Sequence, residues 1–158
     1  MSAPVQIHIY SDGGYFEKQD VGGWGAVIFK QEQELQRLSG WQKKSSSLEM
    51  ELKAALNALQ QLNNHNRLSA PTYLIYQITL FTDSRVLIEG LSQKIKHWRK
   101  NNWIHKSGNP IKYQSLWEAL DTLTQQYQVS LKWVKGHNGN YGNTLADQLA
   151  REAVTERL

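Results

Sequence analysis

Val5-Gln6-Ile7-His8-Ile9-Tyr10-Ser11-Asp12-Gly13-Gly14 alternates apolar and polar side chains until it reaches an aspartate and a glycine pair. A period of two marks a strand with one buried face, so Val5, Ile7 and Ile9 are expected in a core and Asp12 in step with the polar side. The Gly13-Gly14 pair reads as the turn that ends this strand. Two more strands are expected at Gly22 to Phe29 and at Glu34 to Trp41, joined around Lys30 to Gln33 as an antiparallel hairpin. The chain thus opens as a three-strand meander with a carboxylate near the end of its first strand.

Three more carboxylates stand where a packed domain tolerates them least. Leu48, Leu52, Ala55, Leu56, Leu59 and Leu62 recur at helical spacing behind the capping serines Ser45, Ser46 and Ser47, and Glu51 falls toward that apolar stripe. Ile75 to Thr82 reads as a fourth strand, with Asp83-Ser84 where it gives way to two short helical segments running to Asn101. After an irregular stretch from Trp103 to Pro110 comes a helix carrying Leu116, Ala119, Leu120, Leu123 and Tyr127, then a fifth strand marked by Val129, Leu131 and Trp133. Lys135 to Asn143 is rich in Gly and Asn and reads as a mobile loop. A final helix is expected from about Thr144 to Glu156, with Asp147 in its first turns. Brought together by folding, Asp12, Glu51, Asp83 and Asp147 would repel one another and resist desolvation, and a divalent cation is the usual remedy. Taken singly, Asp83 reads as a helix cap and His137 as a surface histidine.

The remaining composition narrows the classes. A chain of 158 residues is the size of one domain. It has no cysteine, which excludes disulfides, thiolate nucleophiles and Cys-based zinc sites. No apolar run approaches membrane-spanning length and the first residues lack a signal-peptide pattern, so a cytoplasmic, monomeric protein without membrane contact is expected. The formal charge is +4 and the pI about 9.3. Charge is unevenly spread: Lys94, Lys96, Arg99, Lys100, Lys106 and Lys112, interleaved with Trp98, Trp103 and Tyr113, occupy a segment with no acidic residue between Glu89 and Glu118. Such a surface attracts a polyanion.

With these pieces in order, the sequence resembles the type 1 ribonucleases H. The resemblance rests on Tyr10-Ser11-Asp12-Gly13-Gly14, Gly22-Gly23-Trp24-Gly25-Ala26, Met50-Glu51-Leu52-Lys53-Ala54-Ala55, Thr82-Asp83-Ser84, Trp133-Val134-Lys135-Gly136-His137, and Asn143 through Asp147-Gln148-Leu149-Ala150. It spans essentially the whole chain and leaves no room for a separate hybrid-binding domain. It implies an α/β, single-domain ribonuclease H-like fold over 1–158, with a mixed five-strand sheet in the order 3-2-1-4-5 flanked by helices. It implies an endoribonuclease that hydrolyses the RNA strand of RNA/DNA hybrids, giving 5′-phosphate and 3′-hydroxyl ends. Asp12, Glu51, Asp83 and Asp147 would bind two Mg²⁺ ions, with Mn²⁺ as a substitute, and His137 would move protons or assist product departure. Gly13, Gly14, Ser47 and Asn143 match positions that contact the RNA strand. Lys44 and Ser46 fall where a DNA phosphate is held, and Lys94, Lys96, Trp98, Arg99 and Lys100 belong to a basic protrusion that grips the DNA strand.

The sequence also departs from the family pattern. Arg85 stands where an amide side chain is common, and could still reach the minor groove. Leu48 replaces a groove-reading Asn, Tyr113 an Asn near the DNA phosphate site, and Lys94 a Trp of the protrusion. Tyr15 to Val21 replaces an Asn-Pro-Gly-rich turn. Two other functions share some features: a junction resolvase of the same broad fold would have the carboxylates without the Lys-Gly-His loop, and an idle hybrid-binding module would gain affinity by losing them.

Overall fold

Strand β1 runs Val5–Phe16, past the glycine pair that reads as a turn, because Gly13 and Gly14 are paired antiparallel with Trp24 and Gly23. The structure, a computed structural model, describes residues 4–64, 76–136 and 140–157. His137 and Gly139 lie outside the described residues, as does Ile75, the expected first residue of the fourth strand. Strand β2 (Val21–Lys30) pairs antiparallel with β1 and with β3 (Gln33–Lys43), which completes the expected meander. Strand β4 (Tyr76–Thr82) lies parallel to β1, and β5 (Ser130–Trp133) parallel to β4. The sheet order is therefore 3-2-1-4-5, the order that the resemblance implies.

Helix α1 (Ser47–Gln61) is capped by Ser46, whose hydroxyl accepts from the Glu49 N–H. It buries Met50, Leu52, Ala54, Ala55, Ala58 and Leu59. This stripe meets Ile7 and Ile9 of β1 and Ile78 and Leu80 of β4, and α4 (Gln114–Gln126) adds Trp117, Leu120 and Leu123. The two short helices α2 (Arg85–Glu89) and α3 (Ile95–Lys100) are joined by a π-helical turn over Gly90–Lys94, so they form one helical stretch and not two separate pieces. Helix α5 (Tyr141–Arg157) begins earlier than its apolar pattern suggests. Asn140 caps it: the side-chain oxygen accepts from the Asn143 N–H at 2.9 Å and the carbonyl from the Thr144 N–H at 2.9 Å. Among the described residues no helix is long and apolar enough to cross a membrane.

The two helices that carry Glu51 and Asp147 lie on opposite faces of the sheet, and each rests on a glycine. A Cβ on Gly13 would stand 2.5 Å from the Glu51 backbone nitrogen of α1. One on Gly25 would stand 2.5 Å from the Ala146 carbonyl of α5. Gly25 is also the cross-strand partner of Asp12, so the two share a face and the missing side chain lets α5 come down beside Asp12. By contrast, Gly14 has only a Phe16 ring carbon, 3.9 Å from its would-be Cβ. Gly25→Ala is therefore expected to cost about 1–3 kcal/mol of stability in urea denaturation through overpacking. Gly14→Ala should leave stability within about 0.5 kcal/mol or raise it.

Candidate active site

The four carboxylates meet. Asp12, Glu51, Asp83 and Asp147 line one open cleft of about 320 Å³, together with Gly13, Gly14, Tyr15, Phe16, Ser47 and Arg151. Asp12 comes from β1, Glu51 from the first turns of α1, Asp83 from the residue after β4, and Asp147 from the second turn of α5. The cleft lies outside the carboxyl end of β4, where α/β sheets generally place their ligands.

Asp83 is not a cap. The N-cap of α2 is Ser84, whose hydroxyl accepts from the Leu87 N–H at 3.1 Å. The same buried hydroxyl also serves Glu51 as a hydrogen-bond partner. Asp83 is thereby left facing the cleft, and its backbone carbonyl is held by the Trp133 indole N–H at 3.1 Å. Glu51 makes no ion pair along its own helix; Lys53 turns instead to the side chain of Gln42. Glu49 accepts from Gln42 at 3.0 Å and Ser45 at 2.8 Å and so secures the α1 N-terminus.

Concentrated negative charge shows in the titration of the cluster. Asp12 is only 7% exposed, and burial, the charge of Asp83 and a hydrogen bond to Asp147 push its carboxyl from 3.8 up to about 8. The Gly13 N–H, donating to Asp12 Oδ1 at 3.0 Å, offsets this only in part. Glu51 is raised as well, first by burial, against the Ser84 hydrogen bond that lowers it. Two features of the chain itself relieve the charge: the hydrogen bond between the Asp12 and Asp147 side chains, and Arg151, whose guanidinium meets Asp147 at 2.9 Å. Arg151 was missed in the sequence, though its position one turn after Asp147 is the available signal. Among the described residues no three acidic or histidine side chains stand close enough to form a ready-made cage for an ion. An open cleft of hard carboxylate oxygens suits Mg²⁺, which keeps several waters and shares its shell with substrate phosphates.

The expected substrate contacts differ in their surroundings. Gly13, Gly14 and Ser47 line the cleft, whereas Asn143 is 3% exposed in the first turn of α5, with its N–H held by Asn140. Ser46 already holds the Glu49 N–H and sits 2.8 Å from the Tyr113 hydroxyl, so a phosphate there would share it with the cap. Lys44, Lys94, Lys96 and Lys100 are exposed. Arg99 pairs with Asp121 of α4 at 3.2 Å and is not the free cation that the acid-free run suggested. Trp98 anchors the protrusion against Trp103 and Trp117, with ring centroids at 5.7 and 5.1 Å, and leaves one edge toward the grooves beside it.

A family model described as RNase H matches residues 4–155. The chain is 38% identical over 154 residues to the ribonuclease H of Dichelobacter nodosus, covering 98% of this chain and 95% of that protein. It is 36% identical over 147 residues to the ribonuclease H of Francisella philomiragia, covering 93% and 90% of the two chains. Among solved structures, LC11-RNase H1 in complex with an RNA/DNA hybrid superposes with a TM-score of 0.69 at 17% identity, covering 96% of this chain and 98% of that one.

The raised Asp12 carboxyl sets a pH dependence. In the folded chain Asp12 keeps a proton that the unfolded chain has lost between about pH 4 and 8. Its contribution is therefore full below pH 4 and is lost as pH rises to 8, by up to about 1.4 kcal/mol per pH unit. Thermal or urea unfolding in chelator is expected to show stability falling across this window. Asp12→Asn, which cannot ionise, should flatten the slope, and an unchanged slope would place the titration elsewhere.

Proposed function

This chain belongs to the ribonuclease H family, a family of endonucleolytic hydrolases, and from that premise we propose that it cuts the RNA strand of RNA/DNA hybrids through its four-carboxylate cleft. The observation that carries this reading is the convergence of Asp12, Glu51, Asp83 and Asp147 in one cleft beside an exposed basic protrusion. The hybrid bound by the structurally similar LC11-RNase H1 supports the substrate class.

Asp12, Glu51, Asp83 and Asp147 would hold two Mg²⁺ ions, which supply an activated water on one side of the scissile phosphate and a stabilised leaving oxygen on the other. The chain does the rest. Gly14, whose side-chain position is open, lets the RNA backbone approach the floor of the cleft beside Gly13. Ser47 offers a hydroxyl to it. Lys94, Lys96 and Lys100 attract the partner strand by charge. His137, which follows β5 in the sequence, would move a proton toward the departing 3′-oxygen or assist product departure, leaving 5′-phosphate and 3′-hydroxyl ends. One domain acting as a monomer would suffice.

Labelled RNA/DNA hybrid, double-stranded RNA, duplex DNA and a four-way junction, each incubated with Mg²⁺ and with chelator, test the reading. Cleavage confined to the RNA of the hybrid, dependent on Mg²⁺ and leaving 5′-phosphates, is expected; junction cleavage would favour a resolvase. Asp12→Asn should abolish turnover while the fold is kept. His137→Ala should lower turnover by about 10²–10⁴-fold with hybrid affinity little changed. Recovery of the His137→Ala loss by added Mg²⁺ would make that residue a metal ligand and contradict its role.

A further inference from the structure

On the α5 side of the sheet a cavity of about 490 Å³ opens among His8 and Tyr10 of β1, Phe29 of β2, Glu32, and Asn140 and Tyr141 at the start of α5. It shares no lining residue with the carboxylate cleft, and the proposed hydrolysis makes no use of it.

Its walls are aromatic and set at steep angles. The Tyr10 and Phe29 rings are perpendicular, with centroids 5.9 Å apart, and Phe29 and Tyr141 meet at 62° and 6.2 Å. Tyr10 is held in place. It stacks on Phe81 at 4.6 Å, its hydroxyl is hydrogen-bonded to the Asn140 side chain, and the bare Gly142 lets the first turn of α5 rest on its ring. Tyr141 is 66% exposed and leaves the cavity accessible.

The charge in the cavity is that of Glu32. This residue belongs to the two-residue turn between β2 and β3, where Gln31 and Glu32 have φ of 48° and 70°. A type I′ hairpin turn requires that conformation and ordinarily takes Asn and Gly. Neither is present, so the backbone is strained, and Gln31 secures it by exchanging hydrogen bonds with Gln6 at 3.0 and 3.2 Å. Burial and the charge of Lys132 hold His8 below the ordinary histidine value, against the pull of Glu32, so His8 is neutral at pH 7 and adds no cation. Arg37, whose charge reaches Tyr141, is already paired with Glu34 through hydrogen bonds at 2.6 and 3.1 Å.

We propose that this cavity binds an alkylammonium group, with the rings of Tyr10, Phe29 and Tyr141 around the cation and Glu32 as its counter-ion. Aromatic faces attract such a cation electrostatically, and cages of rings are a recurrent way of holding quaternary ammonium. The angles favour a compact cation over a flat ligand. Rings at right angles form a corner, in which a nucleobase would stack on one wall only, whereas an ammonium with its shell of hydrogens meets more than one. A free polyamine and the lysine side chain of another polypeptide carry the same chemistry.

The test is amide NMR of the whole chain titrated with tetramethylammonium chloride in excess Mg²⁺, which keeps the carboxylate cleft from taking the cation, with sodium chloride at equal ionic strength as reference. The Tyr10, Phe29, Glu32 and Gly142 amides are expected to shift on one isotherm. Phe29→Leu and Glu32→Gln should each weaken it about two- to fivefold, and the two together about tenfold. Spermidine and a peptide carrying trimethyl-lysine, titrated in the same way, distinguish a free polyamine from a protein side chain by which of them binds more tightly. Shifts that sodium chloride reproduces, or an isotherm indifferent to both substitutions, would overturn the inference. Should Phe29→Leu fail to fold, Glu32→Gln decides alone. Hybrid cleavage plays no part in this readout, so the inference and the proposed function fail separately.

Discussion

The close contact of two helices with two glycines is the constraint on which the rest of this structure depends. Gly13 lets the α1 backbone approach one face of the sheet, and Gly25 does the same for α5 on the other. Because Gly25 faces Asp12 across the β1–β2 ladder, the room it leaves is the room into which α5 brings Asp147. Any larger residue at either glycine would push a helix away from the sheet and draw one carboxylate out of the cleft. The site is therefore a property of packing before it is a property of charge.

That packing works against stability. Asp12 and Glu51 are held where burial raises the pKa of both, and Asp83 adds repulsion to each. The fold offsets the strain locally: Ser84 caps α2 and serves Glu51, Trp133 ties the Asp83 backbone, and Arg151 meets Asp147. None of these groups is needed for an apolar core, and each touches a residue of the cluster. Charge held at a local cost and aimed into an open cleft is what a site that recruits cations requires.

Much of this was legible in the sequence, for a physical reason. The alternation of β1 and the heptad-like stripe of α1 are local patterns that burial imposes directly, and the ladder and stripe match them. What was not legible depended on contacts between distant segments. A glycine pair looks like a turn in isolation; here Gly13 and Gly14 stay extended because β2 pairs with them. Asp83 and Ser84 are equally good caps by composition, and only the structure shows the serine taking the role. Helix α5 starts early because Gly142 packs beneath the Tyr10 ring and Asn140 closes the first turn, and neither contact follows from apolar spacing. The Arg99 to Asp121 and Arg85 to Trp133 pairs likewise join segments with no sequence link.

On the proposed function, four carboxylates from four separate elements act as one cation site. Amide NMR during a Mg²⁺ titration tests it most directly. Gly13, Glu51, Ser84 and Asp147 are expected to shift together along a common isotherm, and Gly25→Ala is expected to weaken that isotherm for all of them. Separate isotherms for these amides, or shifts scattered over exposed acids such as Glu17 and Glu32, would contradict it.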